Sequence, residues 1–227
     1  MPRYGCLAPD RSVEPRILEI GCGSGHLLDS LAALGFRSLR GVDIAPAAVR
    51  SARKRLAARG LGDCVSYGTA RDVIDAGGAG QYDLLLLCDV LEHLPPDHID
   101  SFLTDVNSLL SKEGVLVVVT PNAMTGPHDL TRHFLPLSKG PVGLHLHEYS
   151  LRQLANVLSA AGFGDFRGIG PLSWYTGVPF RHLSGLGTRI KLRLEPLLSM
   201  APQSIREIIM ERLLYQALAA RKLATAR

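Results

Sequence analysis

Short, nearly continuous apolar runs alternate along this chain with segments in which apolar residues recur every three or four positions. The runs at about 16–20, 38–43, 64–67, 82–88 and 113–119 have the length and composition of strands. Between them, HLLDSLAALG, APAAVRSARKRLAARG and PDHIDSFLTDVNSLLSKEG gather apolar residues on one helical face, polar or basic residues opposite, and Gly at or just past the end. Strands and helices that alternate in this way predict βαβ units, and so a mostly parallel, doubly wound α/β sheet in a single domain over 1–227.

The pattern dissolves after Thr120 into PNAMTGPHDLTRHFLPLSKGPVGLHLHEY, a connection rich in Pro, Gly and His. Aperiodic stretches of this length in compact domains usually serve function or are disordered, so 121–147 reads as a loop insertion. A helix resumes at SLRQLANVLSAAG, with Ser150 as N-cap and Gly162 after its last turn, and FGDFRGIG follows as a strand. Beyond it, SIREIIMERL carries the capping box Ser204 with Glu207, while LLYQALAARK either continues that helix or turns into an edge strand. No internal repeat or linker divides the chain.

Composition narrows the class. At 46% hydrophobic and 20% charged, 227 residues suffice for a full core and are too ordinary for a fibrous or disordered chain. The start, MPRYGCLAPDRSVEPR, has no apolar signal region, and LLLLCDVL and GVLVVVT fall far short of the roughly 20 residues of a membrane span, so a cytoplasmic location is expected. Cys6, Cys22, Cys64 and Cys88 lie far apart, which predicts reduced thiols and neither a disulfide nor a structural metal. The net charge is +4, but from Tyr175 onward nine Lys or Arg stand against three Glu, so the earlier part is slightly acidic. The basic segment, about 175–210 in its central part, offers a cap or a contact for an anionic substrate or a membrane surface, with a solvated face as the plain alternative. Nucleic acid is not expected, because no aromatics or recognition signature accompany the charges.

ILEIGCGSG, residues 17–25, runs from a strand into a glycine turn and a helix. At the carboxyl end of a parallel strand, the free N–H groups of a helix start face whatever enters the crevice, and glycine lets backbone come close. Gly21, Gly23 and Gly25 therefore mark a site for a nucleotide-like ligand. The GxGxxG order of a dinucleotide site needs Gly where His26 stands, and the GxxxxGK[ST] order of a P-loop is missing. Glu19 would repel phosphates, so a cationic ligand suits the turn better.

The segment ILEIGCGSG resembles motif I of the class I S-adenosylmethionine-dependent methyltransferases. GVDIAPAAVRSARKR is similar to the family's second strand and helix, YDLLLLCDVLEHLPP to its fourth strand and loop, and KEGVLVVVTPN to its fifth strand. HEYSLRQLANVLSAAGF resembles the helix leading to the sixth strand. The resemblance implies a Rossmann-like, mostly parallel seven-stranded sheet with an antiparallel last strand, and S-adenosylmethionine as cofactor. It implies that Asp43 holds the ribose hydroxyls, that Ile44 lies against adenine, and that Glu19, Gly21, Cys22, Gly23 and Gly25 form the turn around the donor. Asp89 and Leu91 would border the methionine half. Where many members carry Gly-Asp-Ala this chain has Gly68, Thr69 and Ala70, which leaves the backbone N–H of Ala70, or Asp72, to meet the ring. Only sixteen residues precede Ile17, so the substrate cap must come from 121–147, from 175–210 or from a partner subunit, a homodimer included.

Methyl transfer from a sulfonium is an in-line displacement, in which an enzyme contributes mostly position and, for a hydroxyl, a base near neutral pH. Four of the eight histidines, His128, His133, His145 and His147, fall in the aperiodic stretch. His145 and His147 lead as base candidates because, in ubiquinone-type and related methyltransferases, residues just before the corresponding helix face the substrate; His128 and His93 follow. By ligand type His128, Asp129, His133, His147 and Glu148 could form a metal site, but their spacing lacks a helical pattern and none is expected. Cys22 reads as packing, and Trp174 and Tyr175 as core or pocket lining. The expected function is methylation of a small molecule, on oxygen before nitrogen. The alternative is a noncatalytic cofactor-binding subunit of a larger complex.

Overall fold

In the computed structural model the described residues are 14–134, 141–169, Thr188, Leu192, Arg193, Glu195, Pro202 and 217–223. The strands are β1 (Ile17–Ile20), β2 (Leu39–Asp43), β3 (Val65–Tyr67), β4 (Tyr82–Cys88), β5 (Leu110–Val119), β6 (Phe163–Ile169) and β7 (Ala217–Lys222). The helices are α1 (His26–Ala33), α2 (Pro46–Ala57), α3 (Ala70–Val73), α4 (Ile99–Leu109), α5 (Thr131–Phe134) and α6 (Leu151–Ala160). The strands join in one sheet in the order β3-β2-β1-β4-β5-β7-β6, mostly parallel with antiparallel last strands, as expected of a Rossmann-like methyltransferase fold. By their contacts the residues form two compact units. The first takes described residues within Met1–Cys88, Ser101–Val117 and Arg221–Arg227; the second takes those within Asp89–Asp100 and Val118–Ala220.

In the first unit, β1 runs parallel to β2 and β4, with Ile20 opposite Val42 and Leu87, and β2 runs parallel to β3, with Asp43 opposite Tyr67. All four residues of β1 are buried, which suits a central strand covered on both faces. Leu28 and Ala32 of α1 and Val49, Ala52 and Leu56 of α2 turn inward, the apolar spacing that the sequence shows. Each fully buried leucine, Leu28, Leu56, Leu85 and Leu87 among them, contributes roughly 1.5–3 kcal/mol. Pro46 opens α2 at a position where its missing N–H costs nothing.

Two boundaries differ from the sequence reading. The helix expected through Gly114 stops at Leu109, and β5 starts at Leu110 rather than near 113. At that junction Lys222 Nζ donates to the carbonyls of Asn107 and Leu110 at 2.8 and 2.9 Å, so a cation from β7 satisfies the end of α4. Second, ALAARK forms β7, neither a helical continuation nor an edge strand: it lies between β5 and β6, and Ala217–Ala220 are buried. An interior strand built mainly of alanine gives little sequence signal.

In the second unit α6 begins as expected. Ser150 Oγ accepts the Gln153 N–H at 3.2 Å, and Gln153 Oε1 accepts the Ser150 N–H at 2.8 Å. Leu151, Leu154, Ala155 and Leu158 face inward, and Phe163 is buried at the start of β6. Glu195, from the basic segment, reinforces the helix start: Oε1 accepts the Leu151 N–H at 2.7 Å and Asn122 Nδ2 at 3.2 Å, and Oε2 accepts the Arg152 N–H at 2.9 Å. Arg152 in turn donates to the carbonyl of Leu192 at 3.1 Å, and Thr188 Oγ1 accepts the Gly168 N–H at 2.7 Å. Part of the segment expected as a cap is therefore fastened to α6 and β6. The capping box at Ser204 and Glu207, and Trp174 and Tyr175, lie outside the described residues. Among those described, no helix is long and apolar enough to cross a membrane.

Candidate active site

The glycine turn follows β1 directly. Gly21 and Cys22 both donate their N–H to the Val42 carbonyl, at 2.8 and 3.1 Å, so the turn is tied to β2. Gly23, at φ +52°, donates its N–H to Asp43 Oδ2 at 2.8 Å, while Asp43 Oδ1 accepts the Ala45 N–H at 2.7 Å. Each oxygen keeps a second lone pair for a ligand hydroxyl. Gly25 precedes α1 at φ +75°, and a Cβ there would stand 3.0 Å from the Cβ of Ala52, so the start of α1 packs closely on α2. The same end of the sheet leaves Ile44 and Tyr67 exposed, at 69% and 65%, an apolar surface next to the Asp43 carboxylate. Tyr67 was not singled out from sequence, where a lone aromatic ending a three-residue strand carries no distinguishing signal.

Glu19 is buried in β1, and its Oε2 has no partner among the described residues. Burial, with the negative charge of Asp43 added, pushes its carboxyl up to about 8. An orphaned buried acceptor beside a second carboxylate suits a ligand that brings positive charge or N–H donors and opposes phosphate. The residues present therefore fit a sulfonium cofactor bearing a ribose. The Cys22 thiol is buried and pushed up to about 12, by burial first and by Glu19 and Asp43 next, which fits packing rather than nucleophilic use. Ala70 is buried at the start of α3, and Asp72 is spent on the Thr69 capping box, its Oδ2 accepting the Thr69 N–H at 2.7 Å.

In the second unit, Asp89 leaves the end of β4 at φ +52°, a conformation disfavoured for a residue with a side chain, and donates its N–H to the Val119 carbonyl at 2.9 Å. Leu91, expected beside the cofactor, buries its side chain in the interior, so only its backbone is available to a ligand. Glu92, which follows it, is fully buried. Its Oε2 accepts Thr120 Oγ1–H at 3.0 Å, its Oε1 has no partner among the described residues, and burial pushes its carboxyl up.

The four candidate histidines take different places. His93 and His145 meet edge to face with ring centroids 5.1 Å apart. His93 Nδ1 lies 2.9 Å from the Leu144 carbonyl and His145 Nδ1 lies 2.7 Å from Glu148 Oε1. Because a carbonyl and a carboxylate only accept, both neutral rings carry their proton on Nδ1 and leave Nε2 bare. His147 instead stacks edge to face on Tyr149 at 4.5 Å. His128 engages both ring nitrogens, Nδ1 with Glu148 Oε2 at 3.0 Å and Nε2 with Thr125 Oγ1 at 2.9 Å. His133 is exposed.

Asp129 explains how the loop holds shape. Its Oδ1 accepts the Thr131 N–H at 2.9 Å, and its Oδ2 accepts those of Gly143 and His145 at 3.0 and 3.2 Å. Burial pushes its pKa up, yet these hydrogen bonds outweigh burial and bring it to about 2. The metal set weighed from sequence is thus divided, with Asp129 turned to backbone and His128 to Glu148. Among the described residues, ligand-type atoms of Glu92, His93 and His145 lie within 4.8 Å of one another, too far apart to share a proton directly and close enough for a small cation. The sequence singles out no role for Glu92, and for Glu148 only that of a candidate metal ligand, not of a hydrogen-bond partner to the histidines. The signal was their place in the LEH and HLHE runs, adjacent to or near histidines already chosen.

Residues 4–165 match the family described as methyltransferase domain. The ubiquinone biosynthesis O-methyltransferase of Glaesserella parasuis is 32% identical over 110 residues, covering 47% of this chain and 45% of that protein. The protein of the same name from Methylocella silvestris is 29% identical over 180 residues, 75% of this chain and 63% of its own. The chain thus spans about half the length of the curated relatives it matches. Among solved structures, a SAM-dependent methyltransferase of Thermotoga maritima, described as a possible histamine N-methyltransferase, superposes with a TM-score of 0.60 at 18% identity over 96% of this chain and 84% of that one. A SAM-dependent methyltransferase of Archaeoglobus fulgidus gives 0.57 at 18% identity, over 92% and 86%. At such identities the structures show the fold alone. The chain belongs to the class I S-adenosylmethionine-dependent methyltransferases, with S-adenosylmethionine as cofactor.

Proposed function

We propose that this methyltransferase methylates a hydroxyl of a small molecule, using His145 as the base. The observation that carries the reading is the His145 ring itself: Nδ1 is committed to a buried carboxylate and Nε2 is bare, the state a proton acceptor needs near neutral pH. The printed names of the relatives, O-methyltransferases of ubiquinone biosynthesis, support oxygen over nitrogen.

On this reading Asp43 takes the ribose hydroxyls with the lone pairs its backbone partners leave, and Ile44 covers adenine. Gly21, Cys22, Gly23 and Gly25 let backbone approach the donor, Glu19 balances its charge, and the Ala70 N–H reaches the ring. Asp89 and the backbone of Leu91 border the methionine half. When bound, S-adenosylmethionine supplies an electrophilic methyl and leaves as a neutral thioether. His145 Nε2 takes the acceptor's hydroxyl proton as the oxygen lone pair forms the new bond to carbon, while Nδ1–H stays on Glu148. His93, with the same tautomer, is the second group able to hold that proton, and His147 lines the acceptor side.

Release of S-adenosylhomocysteine by the purified chain, screened over phenols, catechols, alcohols and amines, tests the reading. Turnover with a hydroxyl acceptor that falls on the order of 10²-fold or more in His145→Ala, at unchanged cofactor affinity, is expected. Turnover confined to amines, or undiminished in His145→Ala, rejects it. No turnover with any acceptor, despite cofactor binding, would favour a noncatalytic subunit.

A further inference from the structure

We infer that Glu148 is a positioning residue of the reaction, a buried carboxylate that sets which nitrogen of His145 is free, and that His128 is the clamp that holds it in place. The inference rests on the reading of His145 as the base and extends it to two residues that act through its ring.

Glu148 is 4% exposed, just ahead of the α6 capping box, and among the described residues the partners of its carboxylate all belong to the second unit. Oε1 accepts the backbone N–H of His128 at 2.7 Å and lies 2.7 Å from His145 Nδ1; Oε2 lies 3.0 Å from His128 Nδ1. His128 is held from its far side by Thr125, whose hydroxyl lies 2.9 Å from Nε2 and 3.2 Å from the Asn122 carbonyl and has one proton to give to either. The carboxylate is therefore gripped through both oxygens before His145 is considered.

The backbone is shaped around it. A Cβ on Gly126 would lie 2.0 Å from Glu148 Oε2 and 2.9 Å from His128 Nδ1, so only glycine lets the carboxylate occupy this place. Asp129 fixes the other end by accepting the N–H of His145 itself. An anion so fixed demands a donor, so the neutral His145 ring must keep its proton on Nδ1. Burial pushes the Glu148 pKa up, but its hydrogen bonds with His128 and His145 outweigh burial and keep the group below the ordinary range, which agrees with an anion at this point. When His145 takes a proton on Nε2, the positive ring gains the carboxylate's attraction through Nδ1–H, in surroundings where such pairs are strong. The charged groups facing His145 are Glu148, Asp89 and Glu92, with the His93 ring beside it.

The test is the tautomer of His145, read from long-range ¹H–¹⁵N correlations on the full, labelled chain, together with turnover on the best hydroxyl acceptor of the screen. The native protein at pH 8 should carry the His145 proton on Nδ1. Glu148→Ala should move it toward Nε2 and lower kcat on the order of 10²-fold, with the KM for S-adenosylmethionine nearly unchanged. Gly126→Ala, which displaces the carboxylate without removing it, should move both observables the same way and serves if Glu148→Ala does not fold. A native proton on Nε2, or a tautomer unchanged in a folded Glu148→Ala, overturns the inference whatever the base proves to be. Retained kcat in Glu148→Ala with kcat lost in His145→Ala overturns the inference alone. Retained kcat in His145→Ala overturns the base assignment, and the inference with it.

Discussion

Gly23 and Asp43, twenty residues apart, are joined by a hydrogen bond of 2.8 Å from the glycine N–H to the carboxylate Oδ2. The contact shapes the turn after β1 with the same group that offers lone pairs at the end of β2. Shape and ligand contact are therefore coupled at this corner of the sheet.

Asp43→Ala removes both functions at once. It leaves the N–H groups of Gly23 and Ala45 without their acceptor, at about 1 kcal/mol each where water can reach them, and strips the proposed ribose partner. Calorimetry should show S-adenosylmethionine binding weakened on the order of 10²-fold, with the far-ultraviolet dichroism of the native fold retained. Gly23→Val, which forces a β-branched side chain to φ +52°, should weaken binding in the same direction.

Glu19 sets a pH dependence. Its carboxyl ionises near 8 in the folded chain, against 4.5 ordinarily, because of burial first and Asp43 second. Between those values the unfolded chain has lost a proton the folded chain keeps, so this group makes stability fall as pH rises, by at most ~1.4 kcal/mol per pH unit. Urea melts from pH 5 to 8.5 should show the decline, and Glu19→Gln should flatten it. A cationic donor favours the ionised carboxylate, so cofactor binding below pH 8 should release a proton, measurable from the buffer dependence of the calorimetric heat.

Glu195→Ala removes the acceptor of the Leu151 N–H and the Asn122 amide, both buried, and of the partly buried Arg152 N–H. A loss of ~2–4 kcal/mol is expected in chemical denaturation. Ser150→Ala, which removes only the side-chain cap of the same helix, should cost ~1 kcal/mol. No loss in Glu195→Ala would show that Glu195 does not support the helix start.

Lys222→Met keeps the apolar stem and deletes the ammonium that serves the carbonyls of Asn107 and Leu110. The thermal midpoint should fall, corresponding to a loss of ~1–2 kcal/mol. Lys222→Arg, which retains donors, should recover part of it.

The sequence by itself determined the first unit closely. Buried parallel strands and amphipathic crossover helices each write a period into the chain, and the turn after β1 needs glycine at fixed places, so β1 through β4 and the glycine turn were legible, while Asp43 stood out only through the family resemblance. The Ser150 cap was equally local and equally visible. What only the tertiary structure decided depends on partners far along the chain. Lys222 ends α4 from 112 residues beyond Leu110, β7 enters the interior as a run of small residues, and Glu195 reaches back 44 residues to Leu151. The histidines make the point most sharply: four were candidates by type, but Glu148 and the Leu144 carbonyl decide which nitrogens are bare. Periodicity records how each segment meets a core, whereas a hydrogen bond between distant side chains leaves no spacing to read.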